Sequence, residues 1–136
     1  MSYGQSAALQ TAIYGILAAD TVLSARVDGA IYDALPAGTP PATFVTLGPE
    51  DVRPRGDKAG RGALHRFSVT VTTTEAGFGD AKETAAMISD LLDGATPALT
   101  RGAVSFLRFR RARARRLGTG DQRQIEMTFE ARLEDD

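Results

Sequence analysis

Two segments of this chain alternate apolar and polar residues with a period of two. In Leu64–Thr74, Phe67, Val69 and Val71 face one way and Arg66, Ser68, Thr70 and Thr72 the other; in Gln124–Leu133, Ile125, Met127, Phe129, Ala131 and Leu133 are set against Glu126, Thr128, Glu130 and Arg132. That period belongs to a strand, and a single apolar face belongs to a sheet covered on one side only. The chain therefore has to supply a cover. Within Ser6–Ala19, Leu9, Ala12, Ile13, Ile16 and Leu17 form the stripe of an amphipathic helix. A second stripe, Ala81, Ala85, Ile88 and Leu92, is widened by Met87 and Leu91, with Gly94 where a left-handed terminating residue is wanted. Asp80 followed by Glu83 predicts a capping-box start for that helix.

Thr43–Leu47 and Val104–Arg110 read as two further strands, whereas residues 20–30 read as a turn-rich connection. Pro36-Ala37-Gly38-Thr39-Pro40-Pro41 extends neither a helix nor an interior strand. Gly48–Gly62 holds four glycines, two prolines and seven charged residues without an apolar period, and is expected to be a mobile loop. The segment 108–123 is expected to form an arginine-rich hairpin closing around Gly118-Thr119-Gly120-Asp121. The order helix, strand, strand, helix, strand, strand predicts an α+β two-layer sandwich: a mainly antiparallel four-stranded sheet with two amphipathic helices packed on one face. At 136 residues this is one domain, 1–136.

Composition narrows the chemistry. The chain has no cysteine, which excludes thiol catalysis, disulfides and cysteine-ligated metal sites. Apolar residues at 43% and charged residues at 24% are the balance of a globular protein. Gln10 and Thr11 interrupt the first apolar stretch and no basic region precedes it, so neither a secretory signal nor a membrane span is expected, and the cytoplasm is the expected compartment. The net charge of −1 argues against a surface built as a whole to wrap nucleic acid. The charge is unevenly spread, however: residues 101–123 carry eight arginines and one acid, and the segments on either side are acidic.

The motifs with chemical meaning are few. His65 is the only histidine, so a histidine-rich metal site is impossible, and strand alternation places Ser68 on the other side from it. Gly77-x-Gly79-x-x-Lys82 lies in the context of a phosphate-cradling turn, but lysine stands where the third glycine belongs, and turn chemistry accounts for these glycines. Asp90 and Asp93, one turn apart, read as a solvated helix face, and Arg55-Gly56-Asp57 as a chance tripeptide. No catalytic set, cofactor site or metal site is expected. The strongest local signal is Arg108, Arg110, Arg111, Arg113, Arg115 and Arg116. On a regular ribbon Arg111, Arg113 and Arg115 share one side, and Arg108, Arg110 and Arg116 the other. Such a ribbon can neutralise phosphates or pair with acids of a neighbouring subunit. Because the rest of the chain is acidic and the interleaved residues are alanines without aromatics, the sequence favours subunit or partner pairing over direct nucleic-acid binding.

This order of elements, with particular residues in place, resembles the small phage tail-completion or tail-terminator family of tailed phages, prophages and gene transfer agents. The residues that carry the resemblance are Ala7-Ala8-Leu9-Gln10 through Leu17, Val27-Asp28-Gly29-Ala30-Ile31-Tyr32-Asp33 with Pro36 and Pro40-Pro41, and Phe44-Val45-Thr46-Leu47-Gly48. His65-Arg66-Phe67-Ser68-Val69-Thr70-Val71 and Ala81-Lys82 complete it. The tryptophan that the family often has after that middle strand is replaced by Thr72-Thr73-Thr74.

The resemblance implies a structural particle protein without enzymatic activity. It implies copies assembling as a ring of six on the end of the tail tube, stopping tube growth and offering a surface to the head-tail connector, with DNA passing through the ring without sequence-specific binding. The chain would be cytoplasmic during assembly and then sit at the head-tail junction, without membrane contact. A head-completion or connector protein of the same particle is the nearest alternative, and a small DNA-binding module using the arginine hairpin is another. The expected interface comprises the arginine cluster and a docking element in the loop, formed by Asp51, Arg53, Arg55, Asp57 and Lys58.

Overall fold

A computed structural model describes residues 3–54, 62–118 and 121–136. Its elements are α1 (Ser6–Ala19), α2 (Thr21–Arg26), β1 (Ile31–Tyr32), β2 (Thr43–Pro54), β3 (Gly62–Thr73), α3 (Gly79–Leu92), β4 (Ala103–Arg116) and β5 (Arg123–Glu134). The expected α+β architecture is present, with five strands in place of four and three helices in place of two. The strands run in the order β1-β2-β3-β5-β4, all antiparallel except β1, which pairs parallel to β2 through Ile31↔Val45 and Tyr32↔Thr46.

The core lies between one sheet face and the helices. Leu9, Ile13 and Leu17 of α1, Leu23 of α2, and Ala81, Ala85, Ile88 and Leu92 of α3 meet Val45, Val69, Val71, Leu107, Met127 and Phe129. Phe129 is fully buried, stacked on Phe67 with ring centroids 5.7 Å apart and met edge-on by Phe109 at 5.9 Å. Both alternating segments are strands with their apolar residues inward. The opposite face of β3 is less wet than its alternation suggests, because Ser68, Thr70 and Thr72 are buried as well. Their small side chains lie between side chains of the flanking strands, Thr70 between Thr46 and Glu126, for example.

Three local expectations are corrected. The segment expected to be a mobile loop, Gly48–Gly62, is strand as far as Pro54, since β2 absorbs Gly48 and Pro49 in a bulge between Leu47 and Glu50 and resumes pairing with Phe67 through Ala63. A bulge takes one extra residue without ending a ladder, which reconciles a glycine-proline pair with a strand. The remainder of that segment, with Arg55, Asp57 and Lys58, lies outside the described residues. Residues 21–26, expected within a turn-rich connection, form the short helix α2, whose first turn is capped by Asp20 accepting from the Leu23 amide at 2.8 Å.

The third correction concerns α3. It starts at Gly79 behind Phe78 without a side-chain cap, so Asp80 is not the capping residue. Asp80 instead accepts from Arg26 at 2.8 Å and from the Thr43 hydroxyl at 3.0 Å, and Glu83 lies 3.1 Å from the same guanidinium. The two acids tie α3 to α2 and β2. Gly94, at φ +82°, ends the helix as expected.

Candidate functional site: an arginine-bearing sheet face

The helices cover one face of the sheet, and most of the described charged residues expected at an interface gather on the other. β4 reaches Arg116 and β5 begins at Arg123, so most of the arginine-rich segment is strand, with the Leu117 amide donating to the Gln122 carbonyl at 2.9 Å; Thr119 and Gly120 of the expected tip lie outside the described residues. The β4–β5 register slips twice, at Ser105 and at Arg110. The second slip decides where the arginines point. Before it, Arg108 stands opposite Glu130 and Phe109 opposite Phe129; after it, Arg111 stands opposite Thr128, Arg113 opposite Glu126 and Arg115 opposite Gln124. Directly paired residues project from the same face. Arg108, Arg111, Arg113 and Arg115 therefore share the helix-free face with Glu130, Thr128, Glu126 and Gln124. Arg110 joins them, its guanidinium 3.7 Å from Glu130.

This corrects the two-sided distribution expected from a regular ribbon. One extra residue in the strand resets the alternation. Arg116 alone of the six is on the helix side, opposite Arg123, whose guanidinium lies 5.7 Å from the Phe78 ring before α3.

At the centre is Glu130, which the sequence did not single out. Its side chain is 2% exposed, and it accepts from Arg66 at 2.8 Å and from Arg108 at 2.6 Å. Burial alone pushes the carboxyl pKa up, but the hydrogen bonds from Arg108 and Arg66 and the nearby Arg110 charge hold it below the ordinary carboxylate value. Glu130 is thus a fixed counter-charge that positions three guanidinium groups. Arg66, Arg108, Arg110, Arg132, Leu64 and Phe106 surround it in an open depression of about 350 Å³. The Arg108 guanidinium also stacks over Phe106 at 4.6 Å.

The row continues across the sheet. Asp51 pairs in register with Arg66, Arg66 with Glu130, and Glu130 with Arg108, so acids and arginines alternate over β2, β3, β5 and β4. Two parts of the expected interface, Asp51 and Arg108, thereby lie in one cross-strand row. Arg53 and Asp51 are joined by an ion pair of 3.0 Å. The signal that points to Glu130 is available only once register is known: an acid on the wet face of β5 opposite an arginine of β4.

Both ends of the sheet carry open edge. On β4, the Phe109 amide donates to the Asp93 carboxylate at 2.9 Å and the Leu107 carbonyl accepts from the Gly94 amide at 2.8 Å, so the end of α3 closes that stretch of edge. Asp93 is a bridge between α3 and β4, not merely a solvated acid. Beyond Phe109 the strand is an exposed edge through Arg116. At the other end, β1 covers only Val45 and Thr46 of β2. There Glu50 turns to the helix side and accepts from the hydroxyls of Tyr3 and Ser6, the latter at 2.6 Å.

The remaining sequence candidates form no reaction centre. His65 is fully buried on the helix side among strand neighbours Val52 and Ala131, without a hydrogen-bond partner at either ring nitrogen, and burial lowers its pKa against the opposing pull of Glu50. Ser68 is on the opposite face of the same strand, which separates the two as a catalytic pair. A cavity of about 170 Å³ between α1 and β2 is bordered by Leu9, Ile13, Leu47, Pro49, Glu50 and Phe67 and presents mostly apolar surface. Among the described residues, no group of three or more His, Asp or Glu side chains is placed to hold a metal ion, and no helix is long and apolar enough to cross a membrane.

Comparison with known proteins accords with the resemblance drawn from the sequence. No match is found among curated proteins. Among solved structures, one chain from the "Virion of native gene transfer agent (GTA) particle" is 50% identical, with a TM-score of 0.93 over 98% of this chain and 99% of that one. The family described as "Tail completion protein gp17" matches residues 11–134. The chain belongs to that tail completion family.

Proposed function

We propose that this chain is a structural protein of a phage-like particle, six copies of which form a ring on the end of the tail tube, stop its polymerisation and present a docking surface to the head-tail connector. The observation that carries this reading is the end-to-end similarity, at 50% identity, to a chain of a gene transfer agent virion. A protein that works by assembly needs surfaces more than pockets. A head-to-tail ring needs two different surfaces on each copy, and the exposed β4 edge and the β2 edge beyond Thr46 supply two at opposite ends of the sheet. In this reading the partners are further copies of the chain, the tail tube protein and the connector. Asp51 and Arg53, with Arg55, Asp57 and Lys58 beyond them, are the element that docks on a neighbouring ring. The particle's DNA passes through the assembled ring, and the chain's final location is the head-tail junction.

The test is to add purified chain to growing tail tubes. Tubes that stop elongating and carry ring density at one end support the reading; tubes that elongate at an unchanged rate contradict it.

A further inference from the structure

The bulge at Arg110 turns a two-sided strand into a one-sided cationic row, and the described residues do not supply what would neutralise it. On the β4–β5 half of the helix-free face, Arg108, Arg110, Arg111, Arg113 and Arg115 stand against Glu126 and Glu130, a local excess of three positive charges. Glu130 is already enclosed by Arg66, Arg108 and Arg110. Arg111 and Arg113 have no partner among the described residues, and Arg115 reaches only the Gln124 side chain, at 3.5 Å.

The acids a second copy has to offer are largely engaged. Glu50 is held by Tyr3 and Ser6, Asp51 by Arg53, Asp80 and Glu83 by Arg26, Asp93 by the Phe109 amide and Glu134 by Arg132. Among the described residues the acids left over are Glu126, within the row itself, and single residues such as Asp33, Glu75 and Asp90 on other elements. They form no row to match one in which Arg111, Arg113 and Arg115 follow each other at about 6.7 Å, two strand residues apart. The complementary anion is therefore a regular, repeating one.

We infer that the helix-free face of β4 and β5 binds the phosphate backbone of duplex DNA without reading sequence, Arg111, Arg113 and Arg115 being the residues that contact it. From Arg108 to Arg115 the row faces Glu130 through Gln124 and, with one residue taken up by the bulge, spans about 20 Å of ladder, comparable to six base-pair steps at about 3.4 Å each. Ala112 and Ala114 pair with Met127 and Ile125 on the helix side, so from Arg111 to Arg115 this face carries arginines and no ring on which an unpaired base can stack. Arginine delivers fixed, bidentate phosphate contacts, and the Glu130 cluster holds one end of the row in place. This inference deepens the particle reading by naming DNA as the ligand of one face. It requires no ring, so the two can fail separately.

The experiment is fluorescence anisotropy of a labelled 24-base-pair duplex titrated with the purified full chain between 50 and 200 mM NaCl, roughly the range over which phosphate contacts are most visible. The expected result is binding indifferent to sequence that weakens steeply with salt. The triple variant Arg111→Gln/Arg113→Gln/Arg115→Gln, which breaks no ion pair among the described residues, should bind about tenfold or more weakly at 50 mM, with the log–log salt slope reduced by about 2.7, or about 0.9 per phosphate contact. Arg116→Gln, on the other face, should leave affinity within about twofold. An unchanged thermal transition in the triple variant establishes that the face and not the fold was altered.

No salt-dependent binding by the wild-type chain, or equal binding by the triple variant, overturns the inference whatever the outcome of tube capping. A triple variant that loses tube or connector contact while keeping its DNA affinity reassigns the arginines to a protein partner and overturns it as well. Normal tube capping by a variant that no longer binds DNA supports it and leaves the structural role standing.

Discussion

Across the β4–β5 ladder the Arg108 guanidinium lies 2.6 Å from the Glu130 carboxylate, the first half exposed and the second almost wholly buried. A buried carboxylate ringed by half-exposed arginines is asymmetric. The arginines regain hydration if the acid is removed, whereas the acid has no other partner. Glu130→Gln keeps the shape, discards the charge and sets Arg66, Arg108 and Arg110 against one another. The expected loss is about 1–3 kcal/mol, in the range for breaking a charge-assisted hydrogen-bond network with solvent-accessible partners. Urea denaturation measures it; a midpoint equal to that of the wild type would show that the cluster contributes nothing to stability.

Acid sensitivity should appear in two windows. His65 is buried with a pKa below its ordinary 6.5, so the unfolded chain binds its proton more readily than the folded chain does. Its contribution is fully present above pH 6.5 and declines as pH falls from there toward the lowered folded value. Glu130, whose pKa lies below the ordinary 4.5, contributes stability present above pH 4.5 and lost as pH falls through its folded value. Unfolding free energies measured from pH 8 to 3 should therefore fall in two stages. His65→Leu should flatten the first and leave the second; an unchanged first stage in that variant would contradict this assignment.

Asp93 is a point of attachment between α3 and the edge of β4. Asp93→Ala removes the acceptor of the Phe109 amide and should cost about 0.5–1.5 kcal/mol. Hydrogen exchange is the more selective readout. The Phe109 amide should lose protection, while those in β3 exchange at unchanged relative rates.

The aromatic core makes a contrast within one cluster. Phe129 is fully buried between Phe67 and Phe109, and Phe129→Ala should cost about 3–5 kcal/mol. Phe109 is 38% exposed at the sheet edge, and Phe109→Ala should cost clearly less. Equal losses at the two positions would mean that the β4 edge is as tightly packed as the sheet centre.

The elements legible in the sequence are those whose period is long enough to exclude alternatives. Leu9 through Leu17, Ala81 through Leu92, Phe67 through Val71 and Ile125 through Leu133 each settle both an element and its buried face. What stays hidden falls below that length or depends on a partner strand. α2 has six residues and β1 two, too few for a period to show. Gly48-Pro49 reads as a break because proline lacks an amide donor, yet a single bulge absorbs the pair within β2.

The same limit applies to the site. In a run of arginines and alanines neither side is marked as inner, so the slip at Arg110, which gathers five arginines on one face, follows only from pairing with β5. Glu130 looks like any acid on the wet side of a strand until that register places it between Arg66 and Arg108. Asp80 and Glu83 have the spacing of a capping box but serve Arg26 of α2, an element that the sequence did not reveal.

The central claim, that this chain ends the tail and joins it to the head, is tested most directly by electron microscopy of particles from a host lacking its gene, recording tail length and head attachment. Filled heads beside over-long or unattached tails are expected, restored to normal when the gene is supplied again. Tails of normal length joined to heads in the absence of the chain would contradict it.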